Sequence, residues 1–417
     1  MKNLKIYAKT IEESAIEQID KLMKQESFKN EKVRIMPDVH SGKGCVIGFT
    51  STIGDKIIPN IVGVDLYCGM LLVKLGNVEL DLNKIDTVVK EKIPSGFQVH
   101  EKMNVTEELK ELYKEIENMK CFEYLSYNNQ IKHGVGTLGG GNHFIEIDVD
   151  SNGNKYLVIH SGSRNLGNQV AKIYMERAIS HCHGGKLTTD ERKEIIETLK
   201  KEGREVEIEA ALKEAKRIAK DNEIEKDLCY LEGKDKEEYL NDIKVCYKYA
   251  HMSRRNMAYE IVKAIFGNVE IINDKFVVEG EELYSFETLH NYIDLEKNLI
   301  RKGAISAQKD EVILIPINMR DGSLICKGLG NEDWNCSAPH GAGRLMSRKK
   351  AKEVISIDEY KDSMKEIYSS TVDVSTIDEA PQAYKSIEEI KECIKPTVEI
   401  LEQITPIYNY KATEEVD

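Results

Sequence analysis

The chain has 417 residues and a mass of 47.4 kDa, enough for two or three average domains or for one large enzyme fold with a sizeable core. Its 72 acidic residues against 59 Lys and Arg leave a formal charge of −13, which excludes a generally basic nucleic-acid-binding surface. Any nucleic acid must be held locally, by side chains or by bound divalent metal.

Nine cysteines, an odd number scattered along the chain, do not form the dense even framework of a secreted disulfide scaffold. Residues 1–7 lack the apolar core of a signal peptide, and no apolar run approaches the roughly 20 residues that span a bilayer. The expectation is a soluble cytoplasmic protein with no membrane partner.

Residues 11–25 carry Ile11, Ala15, Ile16, Ile19, Leu22 and Met23 at three- and four-residue spacing, which predicts an amphipathic helix. From 33 to 70 short β-branched runs punctuated by glycine, Ile57-Ile58-Pro59 and Ile61-Val62 among them, read as a strand-and-loop core. Two polar pairs, Asp38/His40 and Asp65/Cys68, fall at apparent strand ends, and both are candidate ligand sets. Helical spacing returns over 104–130. A glycine-rich approach then leads to a strand with Asn142, His143 and Glu146 at its start, and Tyr156-Leu157-Val158-Ile159 reads as a strand ending in His160. From about 184 to 250 the chain is rich in Lys and Glu, with 205–220 helical, and reads as a solvated helical insertion; 251–265 continue as helix.

His290 sits in the short apolar run 286–293. Residues 312–316 read as a strand, followed by the loop 318–323 and the run 324–328, and the tail shows helical spacing from 387 to 401, kinked near Pro396. Without internal repeats or linker composition, the economical reading is one α+β domain over 1–417, with a mixed β core, surrounding helices and the helical insertion.

Asp65 and Cys68 are three apart in Val64-Asp65-Leu66-Tyr67-Cys68-Gly69, close enough in a loop to face one site. Thiolate, carboxylate and imidazole together suit manganese, zinc or iron, and suit calcium or an all-oxygen magnesium cage poorly. A single histidine at a strand end is more often an ordinary loop residue, and a cysteine is often a small hydrophobe. Repetition favours a shared site: His143, His160 and His290 bring the donors to five, enough for two metals if the thiolate bridges. A closed single-metal shell would be structural, and an open pair catalytic. In Cys336-Ser337-Ala338-Pro339-His340-Gly341-Ala342-Gly343-Arg344, small residues around His340 let backbone amides approach an anion. His340 reads as a nucleophile, although a Gly-x-Gly run can also be only a tight turn.

The strings Met36-Pro37-Asp38-Val39-His40-Ser41-Gly42-Lys43-Gly44, Val62-Gly63-Val64-Asp65-Leu66-Tyr67-Cys68-Gly69-Met70, Gly141-Asn142-His143-Phe144-Ile145-Glu146, His160-Ser161-Gly162-Ser163-Arg164, His290-Asn291-Tyr292, Arg301-Lys302-Gly303-Ala304 and His340-Gly341-Ala342-Gly343-Arg344 resemble, in this order, motifs of the RtcB family of RNA ligases. The resemblance runs from about residue 33 to Lys411. It implies an RtcB-like fold and a GTP- and Mn²⁺-dependent ligase that joins RNA 3′-phosphate or 2′,3′-cyclic phosphate ends to 5′-hydroxyl ends, in RNA repair or tRNA splicing. It also implies two metal ions held by Asp65, Cys68, His143, His160 and His290, with Cys68 bridging, and guanylylation of His340. Asn142, Glu146, Gly341, Ala342, Gly343, Tyr384 and Lys411 correspond to the nucleotide site, and Arg164, Arg344, Arg348, Lys302 and Lys43 are candidate phosphate clamps. Pro316-Ile317-Asn318-Met319-Arg320 departs from the family's usual Pro-Gly-Ser-Met-Gly, and Ala338-Pro339 replaces small polar residues beside His340. A metal-dependent cyclic phosphoesterase without guanylylation and a non-catalytic nucleotide- or RNA-binding protein are the alternative readings.

Overall fold

A computed structural model describes residues 3–183, 189–218 and 224–412. Its centre is a seven-stranded antiparallel sheet in the order Ser285–Leu289, Gly69–Gly76, Lys155–Ser161, Phe144–Val149, Val398–Lys411, Gly322–Gly328, Val312–Asn318. Strand alternation divides its side chains between two faces. Leu71, Val73, Ile145, Ile147, Leu157 and Ile159 pack with Ile85, Val89, Met257 and Ile261 of two helices, while Met70, Leu72, Phe144 and Val158 meet Leu314, Ile325 and Ile404.

A second sheet of five strands, Leu4–Ile6, Val33–His40, Ile47–Thr52, Leu299–Lys302 and Asn291–Asp294, has one parallel pair and is otherwise antiparallel. The architecture is therefore α+β with a mixed β core. His290 is the single residue between Ser285–Leu289 on an edge of the first sheet and Asn291–Asp294 on an edge of the second. The short pair Ala304–Ser306 with Ser337–Pro339 delivers His340 to the same region.

Several expected elements form with altered limits. Residues 11–25 give the helix Glu13–Met23, and 104–130 give Glu107–Glu117, capped by the Thr106 side chain, then only short turns. Within the expected strand core, Pro59–Val62 is instead one helical turn with proline at its start, where a fixed φ suits helix and no N–H is needed. The 387–401 run is not one kinked helix. The helix ends at Ile394, and Val398–Lys411 is an interior strand of the large sheet, because Pro396 stops the helix and pairing with Gly322–Gly328 captures the residues beyond it.

Residues 205–220 form a 3₁₀ turn Glu205–Glu207 and the helix Ile208–Ile218, with 219–220 outside the described residues. The helix Gly233–Phe266 crosses position 250 and buries Tyr239, Ile243, Cys246, Tyr249, Met257 and Ile261 at helical spacing, so from Tyr239 to Val262 it is a core element. No disulfide joins any of the nine cysteines, and among the described residues no helix is long and apolar enough to cross a membrane.

Candidate active site

Asp65 and Cys68 occupy a tight loop between the turn Pro59–Val62 and the strand Gly69–Gly76. The loop closes through Cys68 N–H donating to Asp65 O at 3.3 Å, with Tyr67 left-handed at φ 55°. His143 immediately precedes Phe144–Val149, and His160 lies in Lys155–Ser161, in register with Phe144 on one side and Met70 on the other. His290 joins them through its backbone N–H, which donates to Cys68 O at 3.0 Å.

The five side chains make a continuous series. Asp65 Oδ2 lies 3.3 Å from His143 Nε2, which is 3.3 Å from Cys68 Sγ; that sulfur is 3.1 Å from His160 Nε2, and His160 Nε2 is 3.3 Å from His290 Nε2. Cys68 and the three histidines are buried, while the Asp65 side chain is about a third exposed. Burial holds His160 and His290 well below the usual histidine range, hence neutral, and raises the Cys68 thiol.

This donor set fits a transition-metal centre. Nδ1 of His143 and of His160 faces the Leu138 and Asn142 carbonyls at 2.8 and 3.2 Å, so each ring carries its proton there and turns an Nε2 lone pair inward. Inward-facing Nε2 atoms beside a sulfur and a carboxylate make a mixed donor set suited to a shared cation. Nδ1 of His290 is buried with no hydrogen-bond partner, which also accords with ligation on that ring. Among the described residues, Cys68, His143 and His160 bring donor atoms within 4.8 Å of one another.

His340 stands beside this cluster, its ring centroid 5.0 Å from that of His290. Fully buried Asp38 takes two hydrogen bonds from it on Oδ2, one from the backbone N–H at 3.1 Å and one from Nδ1 at 2.7 Å. Nε2 is left open. Asp38 and His40 therefore do not join the ligand cluster: Asp38 orients His340, and His40 Nδ1 turns back to the Asp38 carbonyl at 2.9 Å.

A cavity of about 230 Å³ opens over His160, His290 and His340. Asn142, Glu146, Gly341, Ala342, Gly343, Tyr384 and Lys411 all line it, as do Ile317, Asn318 and Met319 of the divergent loop. Asn409 donates to Glu146 Oε1 at 2.5 Å, and burial pushes the Glu146 carboxyl up to about 7. Of the five candidate phosphate clamps, Arg344 and Arg348 line the cavity. Lys302 is buried with Nζ donating to Val62 O at 2.9 Å, Arg164 donates to Gly96 O at 3.1 Å, and Lys43 is exposed; none of these three lines it.

One lining residue had no motif to announce it. Glu379, buried at the end of the 3₁₀ run Val374–Glu379, accepts from Tyr384 OH at 2.7 Å and pairs with Lys411 at 2.8 Å, Arg348 at 2.9 Å and Arg344 at 3.3 Å. Burial opposes its charge, but the three cations outweigh burial and keep it ionised.

Sequence similarity to known proteins extends over nearly the whole chain. The family model described as tRNA-splicing ligase RtcB matches residues 18–412. RNA-splicing ligase RtcB of Escherichia coli (strain K12) is 31% identical over 396 residues, covering 88% of this chain and 87% of that protein. tRNA-splicing ligase RtcB of Nanoarchaeum equitans is 26% identical over 432 residues (85% and 82% covered), and that of Pyrobaculum aerophilum 24% over 443 (86% and 82%). A family match of that extent and a relative at this identity over most of both chains settle its kinship: the chain belongs to the RtcB family.

Proposed function

We propose that this chain is a cytoplasmic RNA ligase that takes GTP as a substrate and uses two Mn²⁺ ions to join RNA 3′-phosphate or 2′,3′-cyclic phosphate ends to 5′-hydroxyl ends through guanylylated His340. Family membership supports the RNA ligase activity. The chemistry rests above all on one observation: the buried Asp38 carboxylate holds Nδ1–H of His340 at 2.7 Å, leaving Nε2 open on a cavity that His160 and His290 also line.

Asp65, Cys68, His143, His160 and His290 are the residues that would hold the metals. Bound there, the ions would supply Lewis-acid neutralisation of phosphate charge. Neutral His340 attacks the α-phosphorus of GTP with Nε2; the N–P bond forms as the bond to pyrophosphate breaks. Asp38 keeps the Nδ1 proton in place and stabilises the positive charge that develops on the ring. Arg344 and Arg348 balance the phosphates, while Asn142, Glu146, Tyr384 and Lys411 hold the nucleoside. His340 then releases GMP to the RNA 3′-phosphate, and the 5′-hydroxyl attacks that activated phosphorus in line as GMP departs. A cyclic phosphate is opened by water first.

The test is incubation with Mn²⁺ and α-labelled GTP, followed by intact mass and gel. Wild type should carry one acid-labile, base-stable GMP adduct, and His340→Ala should carry none while keeping wild-type metal content. Loss of metal in that variant would mean His340 is misassigned as the nucleophile. No adduct on metal-loaded wild type would transfer the reading to a cyclic phosphoesterase or a nucleotide- or RNA-binding protein.

A further inference from the structure

Arg254 is among the largest fully buried side chains of the protein, and it lies on the long helix Gly233–Phe266, outside every motif of the site. Its guanidinium is shared among three segments. Nη1 donates to Tyr67 O at 3.0 Å and to Ser161 O at 2.8 Å; Nε and Nη2 grip Glu287 Oε1 and Oε2 at 2.8 and 3.2 Å. Tyr67 precedes Cys68, Ser161 follows His160, and Glu287 stands on the strand that runs into His290.

A buried ion pair is weak evidence for stability, since burying two charges costs about as much as their attraction returns. Two features make this pair more than a core contact. Its fork gives two backbone carbonyls hydrogen bonds that an apolar side chain could not make. It also holds the carbonyl side of Tyr67, whose left-handed φ of 55° is unfavourable for a bulky residue and persists only where surroundings impose it. The amide side is held by Tyr67 N–H donating to Asn291 O at 2.8 Å.

We infer that Arg254 is a positioning residue that sets the mutual spacing of Cys68, His160 and His290, and through it the affinity of the centre for divalent metal. Lysine cannot replace it, because one ammonium cannot span two carbonyls and a bidentate carboxylate. The inference rests on the reading of these residues as metal ligands, and the two fail separately.

The test uses Co²⁺ as the probe, read by its visible d–d bands, its near-ultraviolet thiolate charge-transfer band and equilibrium dialysis. Wild type without any Co²⁺ binding would sink the metal reading itself. Given wild-type binding, Arg254→Lys should stay folded by circular dichroism, bind Co²⁺ about tenfold or more weakly, in the range seen when groups behind metal ligands are changed, and show a weakened thiolate band. Arg254→Ala should regain the band with millimolar guanidinium and not with urea, its neutral near-isostere, a rescue that a purely structural role would not produce. Wild-type Co²⁺ affinity and spectrum in Arg254→Lys would overturn the inference, as would failure of both variants to fold, which would make Arg254 a stability residue only.

Discussion

Asp38 and His340 are 302 positions apart and meet at 2.7 Å, and the proposed nucleophile depends on that contact for its tautomer. With a carboxylate on Nδ1–H, the lone pair stays on Nε2. In Asp38→Asn the amide can present its NH₂ instead, favouring the tautomer with the proton on Nε2 and no lone pair for attack. We expect the single-turnover rate of His340 guanylylation to fall by roughly 10⁴-fold, the scale found for the Asp-to-Asn change in a Ser-His-Asp triad, with metal content unchanged. A rate within tenfold of wild type would show that Asp38 does not set the tautomer. Sequence marked Asp38 only as one of a polar pair at a strand end and a candidate ligand, because short-range spacing carries no information about a partner so distant in the chain. Glu379 was invisible for the same reason: its four partners, Arg344, Arg348, Tyr384 and Lys411, converge only in the fold.

At the scale of elements, what was legible depended on whether the deciding contact was local. Amphipathic spacing in 11–25 and β-branched runs at 33–40 and 155–161 carry their own signal, and they form the helix and strands expected. The 387–401 run fits helical spacing equally well, but its last four residues are claimed by a strand 70 or more residues upstream, which no local window contains. The turn after His340 is a case where local chemistry does decide. Gly343 has φ 75°, and a Cβ there would lie 2.4 Å from the Asp38 carbonyl oxygen, so only glycine lets this turn lie against the strand Val33–His40. Gly343→Ala should therefore destabilise the protein by about 1–3 kcal/mol in denaturant titration and slow guanylylation by displacing Asp38 from His340. Wild-type stability in that variant would mean that the strand yields at no cost.

For the molecule as a whole, the five proposed metal ligands come from four separated stretches, at 65–68, 143, 160 and 290, the last of them at the junction between the two sheets. An unfolded chain cannot present them together, so metal held by these residues would bind the native state almost exclusively and stabilise it by mass action. At a free concentration one hundred times Kd the gain is about 2.7 kcal/mol per site. In a chain of this length each kcal/mol moves the melting temperature by only about 1–3 °C, so saturating Mn²⁺ should raise Tm by several degrees over chelator-treated protein. Cys68→Ala removes the sulfur next to both His143 and His160 and should abolish most of that rise. A surface substitution such as Lys349→Ala should leave it intact. An equal rise in Cys68→Ala would place the stabilising ions elsewhere, on the acidic exterior that a net charge of −13 provides, and would leave the buried cluster without its metal.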